Sequence, residues 1–176
     1  MRIPRLLIAL LVLAAGGVRA DDRGERLQRW RAALERAAAL APQDPAAAAQ
    51  EYRAVVAEAG TAGGGGLLEA RAQDGLADVL RVEGRCGEAV PLYERSAAAW
   101  ERLFGADQPR TAVTLHNLGL CQTALESWDA AGLTLRRALA IWPATYGESA
   151  PETQSTARAL RHAERGAAAA RAPSDP

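Results

Sequence analysis

Apolar residues recur every three or four positions along most of this chain, a spacing that places them on one face of an α-helix. The segment from Leu27 to Ala38 shows this spacing, with charged residues between the apolar ones. Later segments around Tyr93 and Leu118 show it again. The pattern predicts seven helices after residue 20, and no strand in the repeated region. Two helices are expected within residues 22–60, followed by helices over 67–83, 88–104, 111–125, 128–142 and 152–170.

Residues that begin or end helices divide these segments. Asp44 followed by Pro45 predicts a helix start, because an acidic side chain caps free backbone N–H groups and proline needs none at the first position. Gly84 and Gly105 each follow an apolar segment and predict a helix end. Pro143 predicts the end of the helix that begins at Trp128, because a proline inside a helix loses one hydrogen bond and clashes with the preceding turn.

A fixed period of 42 residues runs through the second half of the chain. The stretch Gly105–Thr111 recurs as Gly147–Thr153, with glycine, proline and threonine in the same places. A period of this length is typical of a stacked-repeat solenoid, because each unit needs its neighbours to bury its apolar face. Five more identities occur at the same offset: Leu76 and Leu118, Ala89 and Ala131, Arg95 and Arg137, Ala98 and Ala140, and Trp100 and Trp142.

These residues resemble the tetratricopeptide repeat family, in particular its 42-residue variant found in kinesin light chains. The resemblance rests on the Gly-x-x-x-Pro turn at 105–109, on Thr-Ala-x-Thr-Leu-x-Asn-Leu at 111–118 and on the small residues Ala131 and Ala138. It covers residues 67–165, although Leu80 and Gln122 replace the aromatic residue of the family's first helix. The resemblance implies an all-α fold, a right-handed α-solenoid of antiparallel helix pairs, with repeats and a C-terminal capping helix over 67–171.

The first 20 residues have the layout of a secretory signal peptide. Arg2 and Arg5 precede an apolar run, and Ala20 is a small residue suited to cleavage before Asp21. The apolar run is short for a membrane span, which makes a retained anchor the weaker alternative. We therefore expect an exported protein, periplasmic or secreted, with no membrane span after cleavage.

The rest of the chain divides by composition. Residues 21–60 are expected to form a helical hairpin, either a degenerate first repeat or a cap for the solenoid. The first option is favoured by Ala48-x-x-x-Tyr52, which echoes Ala89-x-x-x-Tyr93. Glycines make residues 61–66 a flexible linker. Residues 172–176 are expected to be a disordered tail.

Composition and motifs narrow the classes of function. Basic and acidic residues both number 21, and the sequence does not predict the basic face that nucleic acid requires. His116 and His162 could face the groove together with Asp74 and Asp78. A metal site would need three or four converging ligands, and we expect solvated or groove-lining histidines instead. The glycine run 63–66 is not followed by the Lys-Ser/Thr of a phosphate loop. We expect no catalytic site, no metal and no cofactor, and hence no enzyme.

The helix that begins at Thr111 has two faces. Leu118 and Leu125 belong to a face expected to pack against neighbouring helices. The other face is expected to line a concave groove, the kind of surface on which solenoids bind extended or helical peptides. The predicted groove residues are Arg71, Asp74, Asp78, Arg81, Val113, His116, Asn117, Leu120, Ala124 and Arg158.

Asn117 has a particular role by resemblance. The family likeness implies that an asparagine at this place holds the backbone amide of a partner. Gly75 and Ala159 stand at the equivalent places of the other two helices. Only one of the three equivalent helices therefore has the asparagine that a tight clamp of the family's kind uses.

The two cysteines and the repeated tryptophans complete the candidates. Cys86 is expected at a turn and Cys121 on the buried face of the next helix, so they are candidates for a disulfide in an exported protein. Two buried free thiols are the open alternative. Trp100 and Trp142 occupy equal register in two repeats, which favours a packing role over ligand binding.

The sequence thus favours an exported scaffold or adaptor that binds a protein or peptide partner in its groove. The alternative is a structural or self-assembling helical module of a larger envelope complex, with no dedicated peptide ligand. Self-association through the ends of the solenoid belongs to this alternative.

Overall fold

The computed structural model describes residues 20–62 and 66–172, with side chains from Asp22 onward. Residues 1–19 of the predicted signal peptide, 63–65 of the predicted linker and 173–176 of the predicted tail lie outside the described residues. Seven helices and no strand occur in the described part of the chain. They are α1 (Ala20–Leu40), α2 (Pro45–Thr61), α3 (Leu67–Val82), α4 (Cys86–Phe104), α5 (Pro109–Ala124), α6 (Trp128–Tyr146) and α7 (Pro151–Arg171).

The helices stack in chain order as antiparallel pairs. Each helix packs against the next, and the odd-numbered helices α1, α3, α5 and α7 also contact one another in succession. The even-numbered helices α2, α4 and α6 have no Cα atoms within 8 Å of one another across the described residues. The side formed by the odd-numbered helices is therefore the concave one. The predicted all-α solenoid of helix pairs is confirmed.

Glycine, not proline, ends the two longest repeated helices. The prediction that Pro143 ends its helix is wrong, because α6 continues through Pro143 to Tyr146. Gly147 stops it with a φ of 90°, and Gly105 stops α4 in the same way with a φ of 99°. Only glycine adopts this conformation without strain. The two helices consequently have the same length of 19 residues.

Smaller differences concern helix starts and one apolar side chain. α5 begins at Pro109 rather than at Thr111, since proline fits the first position of a helix. Cys86 is the first residue of α4 and does not lie in the turn before it. Leu125 caps the end of α5 and is 47 % exposed, so its predicted packing role is wrong.

The core runs continuously from the N-terminal hairpin into the repeats. Buried apolar side chains of α1 and α2 join those of α3 and α4 in one cluster. Tyr52 of α2 lies directly over Gly75 of α3, where any Cβ would overlap its ring. Leu135 of α6 similarly lies on Gly119 of α5. Glycine at these two sites allows the neighbouring helices to approach closely.

Candidate functional site

The concave side carries the candidate site, which we call the groove. It is formed by residues of α3 and α5 that face the same side of the solenoid. Val113 and Ala124 are exposed, and Leu120 is half-buried. Beside this apolar strip lie charged and amide side chains. The groove comprises Arg71, Asp78, Arg81, Val113, Asn117, Leu120 and Ala124.

Asp78 connects three helices beneath the groove. Its Oδ1 atom accepts hydrogen bonds from the Tyr93 hydroxyl of α4 at 2.6 Å and from Asn117 Nδ2 of α5 at 2.9 Å. Burial raises the pKa of Tyr93, and the negative charge of Asp78 raises it further. The hydroxyl therefore stays protonated and continues to donate. One N–H group of the Asn117 amide is thus used within the protein, and no described residue donates a hydrogen bond to its carbonyl oxygen.

Two arginines give the groove its positive charge. Arg71 is exposed and Arg81 is half-buried. Neither takes part in an ion pair with a described residue, although seven arginines elsewhere do. Arg81 interacts with the Tyr93 hydroxyl, but its Nε atom is buried without an acceptor in the described part of the chain. Because no described carboxylate forms an ion pair with Arg71 or Arg81, both guanidinium groups can form one with a carboxylate of a partner.

Asp74 is not a groove residue, which corrects the prediction. It is 2 % exposed and lies inside the stack between α3, α4 and α5. Trp100 Nε1 donates to it at 3.1 Å, Thr114 Oγ1 at 2.9 Å, and the Arg110 guanidinium lies 2.9 Å away. Burial raises the pKa of Asp74, while Arg110 and the Thr114 hydrogen bond act in the opposite direction. Its role is to connect helices.

His116 is the counterpart of Asp74 one period later, and it is half-buried between α5 and α7. Its Nδ1 atom lies 2.9 Å from Thr156 Oγ1 of α7. Trp142 Nε1 donates to the same Thr156 oxygen at 2.9 Å. Burial lowers the pKa of His116, and the nearby charge of Arg81 lowers it further. The histidine therefore connects α5 and α7 and offers little surface to a ligand in the groove.

Arg158 lies elsewhere. The structure places it in a separate cleft between α6 and α7, together with Leu139 and Ala157. It is the counterpart of His116, but no described helix follows α7 to cover it. Arg158 therefore does not line the groove.

The two cysteines lie side by side. The structure joins Cys86 of α4 and Cys121 of α5 as a disulfide, with their Cα atoms 4.9 Å apart. This bridge crosses the boundary between two helix pairs. Its formation in the native compartment stays a prediction.

The sequence pattern does not reveal the groups that hold these polar contacts. It predicts only packing for Tyr93 and no role for Arg110. Trp100 and Trp142 do pack as predicted, at 4 % and 3 % exposure, but each also donates a hydrogen bond from its indole nitrogen. The available signal is the 42-residue period, which places a tryptophan and a threonine together at both junctions.

The described residues contain neither the arrangement of a metal site nor a helix that could span a membrane. No group of three or more histidine, cysteine, aspartate or glutamate side chains there has the arrangement of a metal site. None of the seven helices in residues 20–62 and 66–172 has the length and apolar character that crossing a bilayer requires.

Comparison with known proteins gives a family match and a set of similar structures. The tetratricopeptide repeat model matches residues 68–144. Two of the similar structures are of a Podosopora anserina protein described as a kinesin light chain with nearly identical TPR-like repeats. Each aligns with 80 % of this chain and 67 % of its own length, at 21 % identity. The TM-score is 0.69 for the structure of a variant and 0.68 for the other structure. BtubC from P. vanneervenii aligns with 75 % of this chain and 60 % of its own, at 21 % identity and a TM-score of 0.55. No curated protein matches the sequence.

Proposed function

Because residues 68–144 of this chain belong to the tetratricopeptide repeat family, we propose that the protein is a scaffold or adaptor that binds a protein or peptide partner in the groove. One observation carries the proposal. Arg71 and Arg81 form no ion pair with a described residue, and they lie on the same side of the solenoid as the exposed side chain of Val113. Cationic groups beside an apolar strip suit a peptide segment that has both carboxylate and apolar side chains.

The groove is built to keep its shape when a partner binds. Asp78, Tyr93 and Asn117 form a hydrogen-bonded connection between α3, α4 and α5. Side chains held in this way lose little conformational freedom on binding, which lowers the cost of association. The Asn117 carbonyl oxygen then accepts a hydrogen bond from a partner's backbone N–H, while Arg71 and Arg81 bind its carboxylates.

Export is part of the proposal. The signal-peptide pattern of residues 1–20 supports it, and so does the position of Cys86 beside Cys121, because disulfides persist in oxidising compartments. The mature chain is then expected to begin at Asp21. Mass spectrometry of the exported protein tests this expectation, and a retained Met1 would contradict it.

The alternative, a self-assembling structural module, requires ends that pack on one another. The terminal helices α1 and α7 are rich in exposed charged residues, among them Arg31, Glu35, Glu164 and Arg165. Polar terminal helices are what a solenoid uses to end its stack and stay soluble. We therefore place end-to-end assembly second.

Partner capture with charge-reversed variants tests the proposal. The full chain is immobilised and challenged with an envelope extract, beside Arg71→Glu/Arg81→Glu and the control Arg53→Glu/Arg95→Glu. The control changes two exposed arginines on α2 and α4, away from the groove. We expect one protein to be captured by the wild type and the control, and at least about tenfold less by the groove variant. Equal capture by all three chains would refute the groove as the binding site.

A further inference from the structure

A second surface lies at the C-terminal end of the described solenoid, in the cleft between α6 and α7. The cleft has a volume of about 480 Å³ and is separate from the groove. Leu139 and Pro143 of α6 form one wall, and residues of α7 form the other. All three apolar lining residues, Leu139, Pro143 and Ala157, are half-buried. The α7 wall and the turn before it consist of Glu148, Thr153, Gln154, Ala157, Arg158 and Arg161.

The repeat itself shows what covers this kind of surface. One period earlier, the counterparts of Leu139 and Ala157 are Ala97 and Leu115. These two residues are buried in one cluster with Ala138, Ile141 and Trp142 of α6. At the earlier position, therefore, α6 covers the cleft with side chains spaced three and four residues apart. No described helix takes this place on α6 and α7.

The cleft differs from its earlier counterpart in charge and depth. Gly119, on which Leu135 lies, is replaced by Arg161 in α7, and His116 is replaced by Arg158. Arg161 prevents another leucine from approaching α7 as closely as Leu135 approaches α5. Neither Arg158 nor Arg161 forms an ion pair with a described residue, and both are exposed. The cleft thus combines an apolar floor with two exposed cations at its α7 wall.

We propose that this cleft binds one amphipathic helix of a partner protein, in the position that α6 takes on α4 and α5. The helix has small and apolar side chains where α6 has Ala138, Ile141 and Trp142. It has a carboxylate where α6 has Leu135, which places the negative charge opposite Arg161. The docked helix covers the surface that a helix of a further repeat would cover. An adaptor with both this cleft and the groove binds two partners at once.

The probe for this proposal is a synthetic peptide derived from the protein's own helix. Its sequence is that of residues 128–146 with Leu135→Glu, labelled with fluorescein at one end. Fluorescence anisotropy measures its binding to the full chain. We expect saturable binding that weakens as salt rises, because the recognised charges are exposed. The peptide without Leu135→Glu is expected to bind about tenfold more weakly.

Charge reversal on the protein identifies the binding surface. Arg158→Glu/Arg161→Glu is expected to weaken binding at least about tenfold. Arg165→Glu is the matched control on the same helix, since Arg165 is exposed and does not line the cleft. Circular dichroism verifies that each variant is folded. Absence of saturable binding, or equal binding by all variants or by both peptides, would overturn the proposal.

Two further measurements distinguish the cleft from a dimer interface and from the groove. If the full chain dimerises in sedimentation experiments and Arg158→Glu/Arg161→Glu abolishes the dimer, a second copy occupies the cleft and the proposal of a distinct partner helix is wrong. Arg71→Glu/Arg81→Glu is expected to leave peptide binding unchanged. Loss of binding in that variant would instead assign the peptide to the groove and would also overturn the cleft.

Discussion

The junction of α4 with α5 and the junction of α6 with α7 have the same register but different chemistry. At the first, Asp74 accepts hydrogen bonds from Trp100 and Thr114. At the second, 42 residues on, the Thr156 hydroxyl lies between Trp142 and His116. The central acceptor is thus a buried carboxylate in one junction and a neutral hydroxyl in the other.

A second difference accompanies the first. The position of Cys86 is taken 42 residues later by Trp128, and that of Cys121 by Ala163. Trp128 lies on Gly166 of α7, where any Cβ would overlap its ring. The α4–α5 junction, which we call the inner one, is therefore held by a covalent bond and a buried charge. The α6–α7 junction, the outer one, has ion pairs only at its exposed surface, and its buried contacts are ring packing and neutral hydrogen bonds. We infer that the repeat fixes where contacts occur and leaves their chemistry free to vary.

The largest expected effect comes from removing the charge at the inner junction. Asp74→Ala leaves the Trp100 N–H and the Thr114 hydroxyl without their acceptor and Arg110 without its partner. We expect a loss of about 4 kcal/mol in the free energy of unfolding. The matched change at the outer junction, His116→Ala, is expected to cost about 1 kcal/mol. Urea denaturation measures both, and equal losses would contradict the contrast between the junctions.

Removing the covalent bond should have the next largest effect. Cys86 and Cys121 are 35 residues apart, and closing a loop of this length in the unfolded chain stabilises the fold by about 3.8 kcal/mol. Cys86→Ala/Cys121→Ala is expected to lose about this amount. Reduction of the wild-type protein with dithiothreitol should give a similar loss in urea denaturation. A wild-type protein whose stability is unchanged by reduction would indicate two free thiols.

A smaller effect is expected from Asn117→Ala, which cuts the connection between α3 and α5 at Asp78. Asp78 keeps the hydrogen bond from Tyr93, so we expect a loss of only about 1 kcal/mol in stability. Partner capture should weaken much more, through loss of the amide oxygen. Thermal melting and capture measured together separate the two roles. Unchanged capture would remove Asn117 from the binding site.

The fold is predictable from the sequence because the repeat is periodic. Identities at a fixed offset indicate the helix pairs and their order, and seven helices with no strand are what the described residues contain. The prediction for Pro143 fails because it places a local rule for proline above the register. Gly147 stands 42 residues after Gly105 and ends α6 as Gly105 ends α4. The period is a better guide to this helix end than the proline.

The candidate site is harder to predict, because a helix face does not reveal which side chains are covered by a third helix. Asp74 and Asp78 lie one helical turn apart on α3, but only Asp74 is enclosed, by Trp100 and Arg110. The register alone assigns Arg158 to a groove, but its surroundings depend on whether a helix follows α7. Such contacts depend on packing across helices and leave no trace in the pattern of a single helix.

The pKa shifts give the two junctions opposite responses to pH. Burial holds the pKa of His116 below its ordinary value of 6.5, so the unfolded chain binds this proton more tightly than the folded one. The stability that neutral His116 contributes is then fully present above about pH 6.5 and is lost as the pH falls through the pKa of the folded state. Burial holds the pKa of Asp74 above its ordinary value of 3.8. Its contribution therefore rises as the pH falls through the folded pKa towards 3.8.

The last and smallest expected effect is the slope that His116 gives to stability. Urea denaturation of the wild type between about pH 8 and about pH 5 should show a loss of stability that His116→Gln lacks, because glutamine does not titrate. The contribution of Asp74 to stability changes with pH in the opposite direction, so the slope of the wild type is the sum of both groups. The difference in slope between the wild type and His116→Gln isolates the histidine. His162→Gln is the control, since His162 is exposed at the end of the stack. If wild type and His116→Gln lose stability equally on acidification, His116 is not protected from protonation at the α5–α7 contact, and the outer junction is looser than its hydrogen bonds indicate.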